Sequence, residues 1–251
     1  MVLEDIFNMK IAVFGDSFGD DYTLWPNPYT GVGPSWSDFL RIQGIEVDNY
    51  AGGGASLFAA YQKFIANYQS YDKIIFVVTT PGRITVPMDN ITVDWYSYSQ
   101  ARNELKYATN PARRTKLKAI CNYFIHVKND DYDNVTHKLM IKDILEKHDS
   151  VLMLPCFEQS GIDDKMPLIK ISEFEAKFWN FTDTILPNWD NVYDARKCHL
   201  CEENNLMLGQ EIYNWIKTGN YNLTPEQFKE PTKEFTHYFR KHFDILLGNR
   251  K

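Results

Sequence analysis

The amino-acid sequence predicts an α/β protein organised around a central parallel sheet. Short apolar segments rich in β-branched residues alternate with segments of helical periodicity, as in chains that build parallel sheets. Each of the first three strand candidates runs into a polar or glycine-rich loop, which places three such loops at one edge of the sheet. The 251 residues suffice for one large domain, so we expect a single domain over residues 1–251.

Four segments predict strands, and a fifth is shorter. Residues 11–14 form an uninterrupted apolar run, residues 45–49 alternate between apolar and polar, and residues 150–155, SVLMLP, carry four successive apolar residues before a proline. Residues 73–79, KIIFVVT, predict a central strand that is covered on both faces. Residues 191–194 predict a short fifth strand.

Helical periodicity accounts for most of the remaining chain. The first helix begins after Ser35, a favourable N-cap, and ends before Gly44. The second covers residues 57–68, with Phe58, Tyr61 and Phe64 in register. Further helices are predicted over residues 113–128, from 133 or 136 to 147, over 171–181, over 202–216 and within 228–247.

Residues 88–150 differ in character from the strand–loop–helix units before them. Residues 89–98 are aromatic and irregular, and two helical segments follow before the fourth strand. We interpret residues 88–150 as a helical insertion and residues 220–251 as a C-terminal helical extension.

Charge and hydropathy exclude several classes of function. The net charge of −6 argues against a nucleic-acid partner, and we interpret the basic run 113–118 as the solvated face of a helix. No segment has the roughly 20 apolar residues that span a bilayer. The N-terminus has no long apolar stretch of the signal-peptide kind, so we expect a cytoplasmic protein. The sequence does not separate a cellular from a viral or phage source, and it says nothing of oligomeric state.

The four cysteines do not predict a metal or redox site. Cys198 and Cys201 have Cys-x-x-Cys spacing with His199 between them, but no second pair at zinc-finger spacing exists. Without a secretory signal, reduced thiols are expected. We therefore predict no metal and no organic cofactor, and we keep a thiol or zinc site at 198–201 as the third hypothesis for function.

Ser17 is the candidate nucleophile. It follows the first strand directly, at the sheet edge where open α/β proteins bind ligands. Nucleophilic catalysis by a hydroxyl also needs a base and donors for the developing oxyanion. His199, before a late helix, provides the base, and the three glycines at 52–54 provide exposed backbone N–H groups.

In three blocks the sequence resembles the SGNH, or GDSL-type, hydrolase family. Phe14-Gly15-Asp16-Ser17 is similar to the family's nucleophile block, and residues 49–56, NYAGGGAS, are similar to its N-x-G-x-x-G block. Residues 199–205, HLCEENN, are similar to the block that carries the family's histidine. The resemblance covers about residues 10–216.

The resemblance implies a flavodoxin-like three-layer α/β/α sandwich with about five parallel strands. It also implies acyl-ester hydrolysis, with Ser17 attacking the carbonyl and His199 taking and returning its proton. The oxyanion would be held by the N–H of Ser17 and that of Gly53 or Gly54. Candidate substrates are small acyl esters, including O-acetyl groups on carbohydrate.

The sequence departs from the family pattern at two positions: the side-chain donor of the oxyanion hole and the acid of the catalytic triad. The family's Gly-x-Asn-Asp block is replaced by residues 79–83, TTPGR, so Thr80 or Arg83 supplies the missing donor, or the hole has backbone donors alone. The acid three residues before the histidine is also missing. Asp194, five residues before His199, orients the base, or a Ser–His dyad works with a backbone carbonyl.

Asp16 and Arg83 are the candidate substrate-binding residues. Arg83 would hold a substrate carboxylate or a sugar hydroxyl, and a structural ion pair is the competing interpretation. The resemblance implies that Asp16 supports the turn by hydrogen bonding and is not the triad acid. Because of the two departures, the alternative to an esterase is a binding or structural module that keeps the fold with weakened catalysis.

Overall fold

The structure is a computed structural model that describes residues 9–20, 35–79, 83–87, 93–96, 98–155, 202–224 and 227. The chain divides into two compact units. The first takes Val2–Asp20 and Ile45–Leu168, and the second takes Asp21–Gly44 and Ile169–Lys251. The protein has a mixed α/β fold with a central parallel sheet, which confirms the predicted fold class.

The first unit contains the described strands in two sheets. The central sheet has four parallel strands in the order β2–β1–β3–β6, and the smaller sheet is an antiparallel pair. Four strands of the central sheet agree with the sequence prediction, and the predicted fifth strand at 191–194 lies outside the described residues. The strands are β1 Lys10–Phe14, β2 Glu46–Asn49, β3 Lys73–Val78, β4 Ile84–Pro87, β5 Val93–Tyr96 and β6 Val151–Pro155.

The strand order creates a switch point beside β1. From β1 the chain crosses to β2 on one side and then returns to β3 on the other, so Val13 is paired with Asn49 and also with Ile75. Ligands of open α/β sheets bind outside the carboxyl ends of the strands at such a point. Ser17 follows β1 and Arg83 follows β3, so both loops flank the switch point.

The described part of the chain contains six α-helices. Five of the predicted helices are found with ends shifted by a few residues, but α3 was not predicted, because its mean hydropathy is low and its apolar residues are few. The helices are α1 Trp36–Ile42, α2 Leu57–Asn67, α3 Tyr98–Tyr107, α4 Pro111–His126, α5 Asp130–Lys147 and α6 Glu202–Thr218. The predicted helices at 171–181 and 228–247 lie outside the described residues.

The main core lies on one face of the central sheet. Alternate residues of the strands point to this face, among them Phe14, Phe76 and Met153, and they pack with residues of α2 and α5 such as Phe64 and Ile144. Side chains of the opposite face, such as Ile11 and Val77, are buried as well. β1, β3 and β6 are therefore nearly continuous apolar runs, as expected for parallel strands covered on both faces, whereas β2 alternates between apolar and polar residues.

The buried face of two helices differs from the expected one. In α2, Phe64 is fully buried but Phe58 is 49% exposed, because the small residues Ala59 and Ala60 turn towards the core. In α5, Ile144 is fully buried and Leu139 is 59% exposed. Periodicity identified these helices correctly, but their rotation depends on what they pack against.

A hairpin that pairs residues 84–87 with the start of the insertion was not predicted. Residues 93–96 were expected to be irregular, yet they form β5. This strand pairs antiparallel with β4, so that Ile84 lies opposite Tyr96 and Pro87 lies opposite Val93. Ile84 and Val86 of β4 contact a second, smaller apolar cluster that includes Leu117 and Cys121 of α4. The hairpin and the helices thus share a local core, which the short strand sequences alone do not reveal.

The second unit contains α1 and α6. Ser35 caps α1 as predicted: its hydroxyl accepts from the Asp38 N–H at 3.2 Å, and the Asp38 carboxylate accepts from the Ser35 N–H at 3.0 Å. Gly209 of α6 lies against Phe39, where an added Cβ would stand 2.9 Å from the ring. Close packing of the two helices therefore requires glycine at this position.

Candidate active site

The turn after β1 requires glycine at its first position. Gly15 has a φ of +143°, and a Cβ there would stand 2.5 Å from the Val77 Cβ and 2.6 Å from the Val77 carbonyl oxygen. No other residue fits this conformation and this contact with β3. The chain consequently turns immediately at the end of the strand and places Ser17 beyond its carboxyl end.

Asp16 and Gly19 close the turn around Ser17. The Gly19 N–H donates to the Asp16 carbonyl at 3.0 Å, and the Phe18 N–H donates to Asp16 Oδ1 at 3.1 Å. Ser17 is partly exposed between these contacts. Within the residues that the structure describes, neither its hydroxyl nor its N–H makes a hydrogen bond. We call residues 15–20 the nucleophile turn.

The three glycines after β2 form a second turn, residues 51–55, which we call the glycine turn. Its Gly52 N–H donates to the Gly15 carbonyl at 3.2 Å, so the two turns are directly hydrogen-bonded. The Ala55 N–H returns to the Gly52 carbonyl at 3.0 Å, and Gly54 has a φ of +75°. The N–H groups of Gly53 and Gly54 donate no hydrogen bond to any other part of the described chain.

Asn49, the last residue of β2, connects the two turns through its side chain. Its Nδ2 donates to the Gly19 carbonyl at 2.6 Å, and its Oδ1 accepts from the Ala51 N–H at 2.9 Å. Asparagine suits this position because its amide offers a donor and an acceptor. Sequence reasoning did not assign this role, although an asparagine at a strand end, able to bond the N–H two residues ahead, is a usable signal.

A buried ion pair between Asp16 and Arg83 contacts both turns. The Asp16 side chain is fully buried, and its Oδ2 accepts from Arg83 Nη1 at 2.7 Å. The same Nη1 lies 3.4 Å from the Ala55 carbonyl oxygen, and the Arg83 side chain is 14% exposed. Arg83 therefore links the loop after β3 to both turns.

The N-terminus of α2 follows the glycine turn. Ser56 is its N-cap and accepts from the Ala59 N–H at 3.2 Å, and its hydroxyl also makes a short hydrogen bond with Thr85 of β4. The positive end of the helix dipole thus lies just after the glycine turn, where it favours an anionic oxygen.

The structure brings together five of the eight predicted site residues, all in the first unit: Ser17, Gly53, Gly54, Asp16 and Arg83. His199, Asp194 and Thr80 lie outside the described residues, as do Cys198 and Cys201. Among the residues that the structure describes, no group of three or more His, Cys, Asp or Glu side chains is arranged to hold a metal ion. None of the described helices combines the length and the apolar character needed to cross a membrane.

No protein-family model and no curated protein matches the chain. Among solved structures, a protein of the lipolytic G-D-S-L family from Desulfitobacterium hafniense DCB-2 is 17% identical over 81% of this chain and 97% of its own, with a TM-score of 0.36. A lipase/acylhydrolase from Enterococcus faecalis is 15% identical over 86% of this chain and 100% of its own, with a TM-score of 0.39. A catalytic mutant of an acetylxylan esterase from Geobacillus stearothermophilus is 12% identical over 83% of this chain and 94% of its own, with a TM-score of 0.39. At these values the comparisons assign no family to the chain.

Proposed function

We propose that the protein is a serine hydrolase that cleaves small acyl esters, with Ser17 as the nucleophile. The observation that supports this most is the nucleophile turn: a glycine-dependent bend at the switch point exposes Ser17, and the glycine turn is hydrogen-bonded to it through Gly52 and Gly15. The Ser17 hydroxyl and backbone N–H groups without a hydrogen-bond partner among the described residues thereby lie in adjoining turns, at the edge where such sheets bind ligands.

His199 is the proposed base, and Asp194 is proposed to orient it. The Ser17 oxygen attacks the ester carbonyl carbon while its proton passes to the imidazole. The tetrahedral intermediate then collapses, the carbon–oxygen bond to the alcohol breaks, and His199 protonates the leaving alcohol. Water attacks the acyl-enzyme in the same way and releases the carboxylic acid and Ser17.

The proposed oxyanion hole consists of backbone donors. The N–H groups of Ser17, Gly53 and Gly54 have no hydrogen-bond partner among the described residues, which makes them available to an oxyanion. Arg83 is engaged with Asp16 and the Ala55 carbonyl, so we assign it to support of the turns rather than to the hole. Each donor of such a hole contributes a factor of about 100 to 1,000 in rate. Thr80 remains a predicted additional donor.

Asp16 is proposed to hold the nucleophile turn and not to bind substrate. Its carboxylate is fully buried and accepts from Phe18 N–H and from Arg83, as a residue that supports a turn would do. Substrate recognition is then assigned to the partly exposed rim of the two turns. The proposed substrates are esters with a small acyl group, with O-acetyl groups on carbohydrate as the first class to test.

The test is covalent labelling by a fluorophosphonate, which phosphonylates an activated serine oxygen with loss of fluoride. We expect wild-type protein to be labelled at Ser17 and to hydrolyse p-nitrophenyl acetate, and Ser17→Ala to do neither. Because the Ser17 hydroxyl makes no hydrogen bond to the described residues, Ser17→Ala should fold normally. Ser70→Ala, at an exposed serine before β3, is the matched control.

Absence of labelling and of turnover in the wild type would favour the binding or structural module. The base is tested separately: His199→Ala should abolish turnover, and Asp194→Ala should reduce it in part. Equal and negligible effects of the two variants would remove the proposed base.

A further inference from the structure

Lys63 is a charged residue of α2 that the proposed reaction does not use. Its side chain is partly buried, and its Nζ donates to the Tyr50 carbonyl oxygen at 2.7 Å. Tyr50 lies between Asn49 and the glycine turn, so this hydrogen bond holds the peptide group that leads into the turn. Burial lowers the pKa of Lys63, and the negative charge of Asp20 offsets only part of this lowering. Asp20 is the last residue of the nucleophile turn.

The backbone N–H and the hydroxyl of Tyr50 also have hydrogen-bond partners. Its N–H donates to the Val13 carbonyl at 2.8 Å, and its hydroxyl lies 2.6 Å from the Tyr71 hydroxyl, which donates to Asp48 at 2.6 Å. Its ring stacks on Phe14 with the centroids 5.1 Å apart. The carbonyl oxygen is therefore the remaining polar group of Tyr50, and Lys63 is its donor.

We propose that Lys63 is a positioning residue of the reaction at Ser17: it fixes the peptide group that leads into the glycine turn. This inference rests on the proposed function. The Tyr50 carbonyl and the Ala51 N–H belong to one peptide group, which Lys63 binds at its oxygen and Asn49 binds at its N–H, and Gly53 and Gly54 follow within four residues. A rotation of the Tyr50–Ala51 peptide thus changes where the N–H groups of the glycines point.

The effect should fall on the transition state. The oxyanion forms only after attack, so displaced donors weaken its stabilisation and leave ground-state binding of the ester nearly unchanged. A displacement of about 1 Å in a catalytic arrangement can reduce the rate by roughly 100-fold. We therefore expect kcat to fall while KM stays within about twofold of wild type.

The experiment compares Lys63→Met with Lys73→Met. Lys73 is a matched control, because it is also partly buried, burial also lowers its pKa, and its Nζ donates to a neutral partner, Ser150 Oγ, at 3.3 Å. It lies at the start of β3, at the edge of the sheet opposite to Ser17. Fluorophosphonate labelling rates, kcat and KM for p-nitrophenyl acetate, and thermal unfolding are measured for both variants.

We expect Lys63→Met to be labelled at least about 10-fold more slowly than wild type, and Lys73→Met within about twofold. Lys63→Arg keeps a charged donor and should recover most of the rate. A second measurement is independent of activity: hydrogen exchange at the Gly52 and Ala55 amides, both hydrogen-bonded, should accelerate in Lys63→Met and not in Lys73→Met.

The outcomes separate this inference from the proposed function. If the wild type is labelled and Lys63→Met is labelled equally fast, or loses rate only in step with its thermal stability as Lys73→Met does, Lys63 has no positioning role. If the wild type is not labelled, the proposed function fails and the inference fails with it. Unchanged exchange at the two amides in Lys63→Met also overturns the inference, whatever the activity.

Discussion

Replacement of Arg83 by methionine tests the ion pair beneath the two turns. Met keeps most of the apolar volume of the side chain but removes the guanidinium that Asp16 Oδ2 accepts from at 2.7 Å. The Asp16 carboxylate is fully buried and so cannot be solvated in place of this partner. The substitution should therefore destabilise the folded state through Asp16, although Asp16 itself is unchanged.

The expected size follows from the burial of both partners. Removing one member of a buried ion pair costs about 3–5 kcal/mol in the free energy of unfolding. We expect the lower end, about 3 kcal/mol, because Asp16 Oδ1 keeps the Phe18 N–H as a donor. In a chain of this length, about 3 kcal/mol corresponds to a fall of roughly 6–12 °C in Tm.

Urea unfolding followed by circular dichroism measures the loss, with two further variants as references. Lys142→Met removes one partner of the mostly exposed pair Lys142–Glu146 and should change the free energy of unfolding by no more than about 0.5 kcal/mol. The double variant Asp16→Asn/Arg83→Met leaves no buried charge at the site of this ion pair, so it should be more stable than Arg83→Met by at least about 1 kcal/mol. A loss below about 1 kcal/mol in Arg83→Met, or a double variant no more stable than it, would refute the reasoning.

Three further predictions concern the turns and the network behind them. Gly15→Ala places a Cβ 2.5 Å from a side chain of β3 and should lower the free energy of unfolding, measured in urea, by about 2–6 kcal/mol. Gly219 also has a positive φ, +76°, but nothing lies within 4 Å of an added Cβ, so Gly219→Ala should lose only the backbone strain of about 1–2 kcal/mol. Equal losses in the two variants would contradict the packing argument. Burial and a hydrogen bond to Asp48 raise the pKa of Tyr71 above its ordinary value of 10.0, so its contribution to stability is complete below that pH and is lost as the pH rises towards the folded-state pKa. Urea midpoints between about pH 9 and pH 11 should consequently fall less in Tyr71→Phe than in wild type, and parallel curves would exclude this role. Asn49→Ala removes the side chain that joins the two turns and should slow fluorophosphonate labelling at Ser17 by roughly 10-fold or more; labelling at the wild-type rate would show that the other contacts hold the turns alone.

Much of the fold was predictable because its strands carry strong local signals. Residues 74–78 are all apolar and four of the five are β-branched, and β3 was found over Lys73–Val78. The hairpin of β4 and β5 was missed because four-residue strands gain their stability from pairing and from the apolar cluster around Leu117, which neighbouring residues in the sequence do not encode. The same limit explains the exposed Phe58 and Leu139: a helix period does not reveal which arc of the helix meets the sheet.

The candidate site divides in a similar way. Glycine and serine at the end of an apolar strand predicted the nucleophile turn, since a sharp turn needs a glycine in the sequence itself. The role of Arg83 stayed open between substrate binding and an ion pair, because its partner Asp16 is 67 positions away and only burial of both decides whether they meet. Lys63 carried no signal at all, since a lysine on an amphipathic helix is ordinarily solvated.

The sequence by itself therefore determined the α/β class, the strands of the central sheet and the turn that carries Ser17, because these depend on residues within a few positions of one another. The tertiary structure decided that the glycine turn binds the nucleophile turn through Gly52 and Gly15, that Asn49 joins them, that Arg83 pairs with Asp16, and that Lys63 donates to the Tyr50 carbonyl. Those contacts join residues that are 13 to 67 positions apart. Their geometry comes from the order β2–β1–β3, which brings the carboxyl ends of three separate strands to one edge.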